Sequence, residues 1–129
     1  MKRHIVVVFV VICLIITNVS FADQSQHRAD EYFNSGSAKL YANKIVGIFA
    51  KTEFVVNCIS ADYCKLYKLV GSSWQLIHTS YPTYYVTNDW QFGTQVDFSS
   101  YIDSGTFRVE VRFNADGHTL TKYSNSRVF

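Results

Sequence analysis

Three histidines lie beyond the first few residues, His27, His78 and His118, and no two of them are spaced to share a metal ion. Cys58 and Cys64 do not form a C-x-x-C redox pair. They also lack a second Cys or His pair nearby to complete a zinc site. Serines are common, but none sits in a Gly-x-Ser-x-Gly elbow, so a nucleophile has no strained turn to present it. Asp97 and Asp103 are the kind of carboxylates that glycoside hydrolysis pairs, yet nothing in the sequence draws them together. No glycine-rich phosphate loop is present. The expectation is a protein with no catalytic residues, no cofactor and no metal, and not an enzyme. A hydrolase or hydrolase inhibitor is the least favoured reading.

What the sequence offers for recognition is aromatic. Tyr81-Pro82-Thr83-Tyr84-Tyr85 is followed closely by Trp90-Gln91-Phe92, amid turn-forming residues. Tyr and Trp on loops bury large areas at low entropic cost, which suits contact with proteins or sugars. Tyr81, Tyr84, Tyr85 and Trp90 are the expected ligand-binding residues. The competing reading is that these rings fill the core or cover one end of it. Trp74 is expected in the core.

The start of the chain has the pattern of a secretory signal. Met1-Lys2-Arg3-His4 leads into an apolar run, Ile5 to Ile16, and Ser20-Phe21-Ala22 supplies small residues at the −3 and −1 positions. Cleavage is expected after Ala22, with no anchor left behind, because the run falls short of the roughly 20 residues a membrane span needs. Cys13 sits inside the run and not at its end, so no lipid anchor is expected. Removing Lys2 and Arg3 lowers Lys+Arg from 12 to 10, which balances the 10 Asp+Glu. A neutral chain lacks the cationic excess that nucleic acid requires. It also shows no polybasic patch for an anionic membrane. The predicted location is extracellular or periplasmic. An even count of cysteines in an exported chain predicts a Cys58–Cys64 disulfide, worth roughly 2–2.5 kcal/mol for so short a loop.

The elements that would hold these residues are strands. Val, Ile, Thr, Tyr and Phe recur, and the one proline is Pro82. Residues 23–38 read as a flexible polar lead-in, with a helical turn near Arg28–Phe33, before one domain at 39–129. Strands are expected at 45–49, 53–59, 64–70, 74–79, 84–87, 95–98, 106–113 and near the C-terminus. Ser60-Ala61-Asp62, Gly71-Ser72-Ser73 and Asn114-Ala115-Asp116-Gly117 are the expected turns. The clearest strand places Phe107, Val109, Val111 and Phe113 on one face and Arg108, Glu110 and Arg112 on the other. With no crossover helices, the fold class is all-β, a small antiparallel β-sandwich, with a small closed barrel as the runner-up.

Asp103-Ser104-Gly105-Thr106-Phe107-Arg108-Val109 resembles the start of strand F in immunoglobulin-like domains. Those domains often carry Asp-x-Gly-x-Tyr-x-Cys, where this chain has Phe107 and Val109. The Asp-Gly turn after it, and Tyr123-Ser124-Asn125-Ser126-Arg127-Val128-Phe129, are similar to the final hairpin of bacterial immunoglobulin-like and fibronectin type III-like modules. The resemblance covers residues 44–129 and implies an immunoglobulin-like sandwich. Fold alone does not assign function. The combined expectation is a secreted interaction module that binds an extracellular protein or glycan through aromatic loops. The alternative is a small secreted antimicrobial or toxin-like antagonist.

Overall fold

The computed structural model describes residues 29–129. The expected signal peptide, Cys13, His27 and the first part of the lead-in lie outside these residues. A single helical turn, α1 (Ala29–Tyr32), opens directly into β1 (Phe33–Leu40). Strands β2 (Ile45–Val70), β3 (Ser73–Ser80), β4 (Tyr85–Asp97), β5 (Thr106–Ala115), β6 (His118–Tyr123) and β7 (Arg127–Val128) follow. All pairings are antiparallel, and the seven strands form one curled sheet.

The long strand β2 organises the fold. Its first half pairs with β1 along one edge and β4 along the other. Its second half pairs with β5 on the first edge and β3 on the second. Two register irregularities bend it, at Lys51/Val56 and at Ala61/Tyr63. Bulges of this kind increase local twist and curl a sheet, and here they turn the two halves of β2 toward each other. Gly36 on β1 lies against β5 and β6. A side chain there would come within 2.8 Å of Leu120 and 3.4 Å of Phe113. Asn125 fastens the same seam, since its side chain accepts the Leu40 N–H at 2.9 Å and donates to the Leu40 carbonyl at 3.2 Å.

The core lies inside the curl. Val46, Ile48, Ala50, Ile59, Cys64 and Leu66 of β2 meet Phe92 of β4 and Phe107, Val109, Val111 and Phe113 of β5, all buried. The inward face expected for β5 is present and extends to Ala115, and Glu110 on the opposite face is buried as well. The Asp-Gly turn is present as well. Asp116 and Gly117 have φ of 52° and 91° and separate the paired residues Ala115 and His118. Two positive φ values in a two-residue loop are what a twisted hairpin requires. Within the resembling segment, Phe107 is buried with Phe129 edge-on at 6.0 Å, and Gly105 and Phe129 exchange backbone hydrogen bonds.

Several expectations are corrected. The strands read at 45–49, 53–59 and 64–70 are one strand, and Ser60-Ala61-Asp62 is not a turn. Asp62 instead accepts from Arg112 at 3.0 Å and from Asn114 at 3.2 Å, which holds the bulge against β5. The end of the polar lead-in is ordered, because Phe33 and Leu40 bury their side chains. The pieces read at 84–87 and 95–98 belong to one strand, β4. Cys58 and Cys64 are free thiols and do not form the expected disulfide. They lie six positions apart on a single strand, on the order of 20 Å, whereas a disulfide needs Cα atoms within about 7 Å. Burial pushes the Cys64 thiol up to about 12, so it packs as a small apolar group.

Candidate recognition surface

The four rings singled out for binding are all exposed: Tyr81 by 72%, Tyr84 by 52%, Tyr85 by 59% and Trp90 by 43%. They do not share one patch. Tyr81 and Tyr84 line a hollow of about 340 Å³ between the β3–β4 connection and the end of β4, together with Gln95 and Asp97. Tyr84 lies against buried Phe92, with ring centroids 5.8 Å apart, and Phe92 in turn meets Phe113 edge-on at 6.2 Å. Tyr85 stands opposite Ser60 and does not line the hollow. Trp90 sits at the bend of β2, with the Lys51 ammonium 4.8 Å from its ring centre. Its carbonyl accepts from the Thr52 hydroxyl at 3.3 Å.

The hollow has an anionic lip. The Ser99 hydroxyl and its backbone N–H hold the Asp97 carboxyl below its ordinary value, so it is ionised at neutral pH. Thr94 and Gln95 line both this hollow and a larger, shallow groove of about 780 Å³ on the other side of β4. Ser37, Lys39, Tyr41, Phe49 and Asn125 contribute to that groove. None of these is legible as a site in the sequence, because residues 33–38, most of β1, read as a flexible lead-in.

The outer face of β3, β2, β5 and β6 carries a second polar and aromatic layer. Trp74 is part of it and not of the core. The Arg108 guanidinium lies between the Trp74 and Tyr123 rings, 4.4 Å and 4.9 Å from their centres. Such contacts contribute about 0.5–1 kcal/mol each at exposed positions. Arg112 and Lys65 rest on Tyr63 at 5.0 Å and 4.4 Å. Glu110, expected on the wet face, is buried beneath this layer and accepts from the Tyr123 hydroxyl at 2.9 Å. Its position follows from the register, which places Lys65 and Tyr123 on either side of it.

This layer sets an alkaline limit on stability. Burial first, and then the Glu110 carboxylate, push the Tyr63 phenol up to about 12. The hydrogen bond to Glu110 raises Tyr123, and burial followed by the Asp116 charge raises Tyr32. A phenol raised above its unfolded value of about 10 binds its proton more tightly when folded. The contribution is therefore complete below about pH 10 and is lost as pH climbs to about 12. Denaturation midpoints should hold steady up to the lower value and fall between the two, and Tyr63→Phe should flatten that fall. An unchanged slope in that variant would show that Tyr63 does not contribute.

The remaining titratable candidates are engaged locally. His78 stacks on Tyr101 and His118 on Tyr32, each at 3.8 Å. Asp103 is paired with Lys68 at 2.8 Å. Among the described residues no group of three or more His, Cys, Asp or Glu is placed to hold a metal ion, and no helix is long and apolar enough to cross a membrane. Against known proteins, no family model, no curated protein and no solved structure matches the chain.

Proposed function

We propose that the protein is an exported interaction module that binds an extracellular protein or glycan through aromatic side chains, and that it is not a catalyst. The observation that carries this reading is the hollow between Tyr81 and Tyr84, where two large rings stand in solvent beside Gln95 and an ionised Asp97. The Tyr84 ring, seated on Phe92, provides contact area with little motion left to lose on binding. Export is supported by the Met1–Ala22 pattern. The engagement of His78, His118 and Asp103 with neighbouring side chains supports binding over catalysis. The immunoglobulin-like sandwich is our reading of the topology, supported by the Asp103–Val109 corner, and a half-barrel fits the same strand pairings.

The test is binding of the purified protein to a glycan array and to intact cells, beside a Tyr81→Ala/Tyr84→Ala variant with an unchanged melting temperature. Central aromatic anchors lose about 2 kcal/mol or more when truncated, so the variant should bind at least about thirtyfold more weakly. Equal binding by both proteins would remove the hollow from consideration as the site.

A further inference from the structure

Strand β3 is an edge of the sheet, since its one strand partner among the described residues is β2. Sheet edges are ordinarily guarded by charged side chains or proline, which keep a second strand from pairing there. β3 reads Ser-Trp-Gln-Leu-Ile-His-Thr-Ser, and it is the one described strand with no Asp, Glu, Lys, Arg or Pro. Leu76 and Ile77 stand in solvent on it.

The hairpin fixes which backbone groups face outward. Gly71, with φ 63°, and Ser72 form a two-residue loop, so the closing residues Val70 and Ser73 exchange both backbone bonds. Antiparallel pairs alternate along a ladder. Gln75 is therefore bonded to Lys68, whereas Trp74 opposite Leu69 and Leu76 opposite Tyr67 are not bonded to β2. The N–H and C=O groups of Trp74 and Leu76 point out along the free edge. The far side of β2 keeps the same alternation. Val109, opposite Leu66, turns its N–H and C=O away to Ser124, which leaves Leu66 to bond β3. A bulge at Ile77 then bends the strand, so the regular edge ends at Leu76.

We propose that β3 pairs antiparallel with β3 of a second copy, about a twofold axis at Gln75. Trp74 exchanges both backbone bonds with Leu76 of the partner subunit, and symmetry repeats the pair, so every outward group of both residues is satisfied. A register shifted either way would set Trp74 or Leu76 against itself and leave the other facing the turn or the bulge. The edge selects its own copy because Trp74-Gln75-Leu76 reads apolar, amide, apolar in both directions. Reversal sets Trp on Leu and amide on amide, and no charge on the edge meets itself across the axis. Charges behind the edge are engaged: Lys68 pairs with Asp103 at 2.8 Å, and Arg108 lies between the Trp74 and Tyr123 rings, two strands in. Lys65 lies beyond the bulge, opposite Thr79. So short a contact makes a weak, reversible dimer, and it uses the edge of both copies, so assembly closes at two.

The experiment follows the protein expressed from the full-length sequence by sedimentation up to about 1 mM, with amide hydrogen exchange along the same series. The expected result is a reversible dimer in which exchange at the Trp74 and Leu76 amides slows as concentration rises, while Gln75, already bonded to β2, stays as it was. Gln75→Lys and Gln75→Glu each oppose like charges on the axis. Each alone should dimerise at least about tenfold more weakly with its melting temperature unchanged, and an equimolar mixture of the two should recover the dimer. Tyr81→Ala/Tyr84→Ala should dimerise as wild type does, which separates this edge from the hollow. A protein that stays monomeric at about 1 mM overturns the proposal. So does assembly beyond a dimer, a dimer undiminished in either charge variant, or a mixture no more associated than its parts. Loss of the dimer in the tyrosine variant also overturns it, and moves the contact to the hollow. The exchange pattern reads the wild-type protein alone and decides the matter even if a variant fails to fold.

Discussion

Phe113→Ala should lower stability by about 3–5 kcal/mol, the largest loss expected from any single truncation in the fold. Phe113 is fully buried at the point where the halves of the curled sheet meet. It pairs across the sheet with Ala61 on β2 and Leu120 on β6, and Phe92 of β4 meets its ring edge-on at 6.2 Å. Gly36 of β1 lies close enough that a Cβ there would contact the ring at 3.4 Å. Groups from four strands thus converge on one side chain, and they cannot all collapse into the space it leaves. At roughly 4–8 °C per kcal/mol for a domain of this size, the melting temperature should fall by more than about 10 °C. Phe49→Ala is the control, since Phe49 is 38% exposed and its loss should cost well under the core value. Thermal denaturation followed by circular dichroism measures both, and a Phe113 effect no larger than that of Phe49 would show that the two half-sheets do not depend on this contact. The same variant should weaken binding at the hollow, because Tyr84 lies on Phe92 and Phe92 lies on Phe113.

Phe113 was legible in the sequence because β5 alternates without interruption, and a strand paired on both sides with one buried face must alternate. The Asp116-Gly117 turn was legible because only a few residue types accept two successive positive φ values. β2 was not. Ser60-Ala61-Asp62 carries the local marks of chain reversal, and sequence alone does not show that distant partners satisfy it. The Thr52 hydroxyl donates to the Phe54 and Trp90 carbonyls, and Asp62 is held by Arg112 and Asn114, fifty or more positions away. The disulfide expectation failed for the same reason, since it assumed a loop where the chain runs straight through. The candidate site was legible only in part. Aromatic composition identified exposed rings, but their separation depends on the bend of β2. The groove lined by Lys39, Phe49 and Gln95 depends on β1, whose Asn-Ser-Gly-Ser sequence reads as a flexible turn. Ser35, Gly36 and Ser37 form a strand because Phe33 and Leu40 anchor its ends in the core.

Asp116→Ala should cost about 2–4 kcal/mol, although the side chain is only half-buried. Its carboxylate accepts the backbone N–H groups of Asn57 at 3.0 Å and Cys58 at 2.9 Å, and the Tyr32 hydroxyl at 3.3 Å. Its own N–H donates to the Cys58 carbonyl at 3.2 Å. One turn residue thereby ties the β5–β6 hairpin to the middle of β2 and to the helical turn that precedes β1. Alanine removes all three accepted bonds and places a Cβ-bearing residue without a compensating side chain at φ 52°. Asp116→Asn tolerates that backbone equally well but offers one acceptor oxygen in place of two, so it should recover part of the loss. The difference between the two variants measures the bonds that one remaining oxygen can accept, together with the tolerance of Asn for this backbone, and what they lose in common measures the charge and the bonds that need the second oxygen. Hydrogen exchange at the Asn57 and Cys58 amides reads the clamp directly and should accelerate in the alanine variant well beyond its global destabilisation. Exchange that merely tracks the global change would mean that β2 holds its course through its strand partners alone, and that Asp116 serves only the turn.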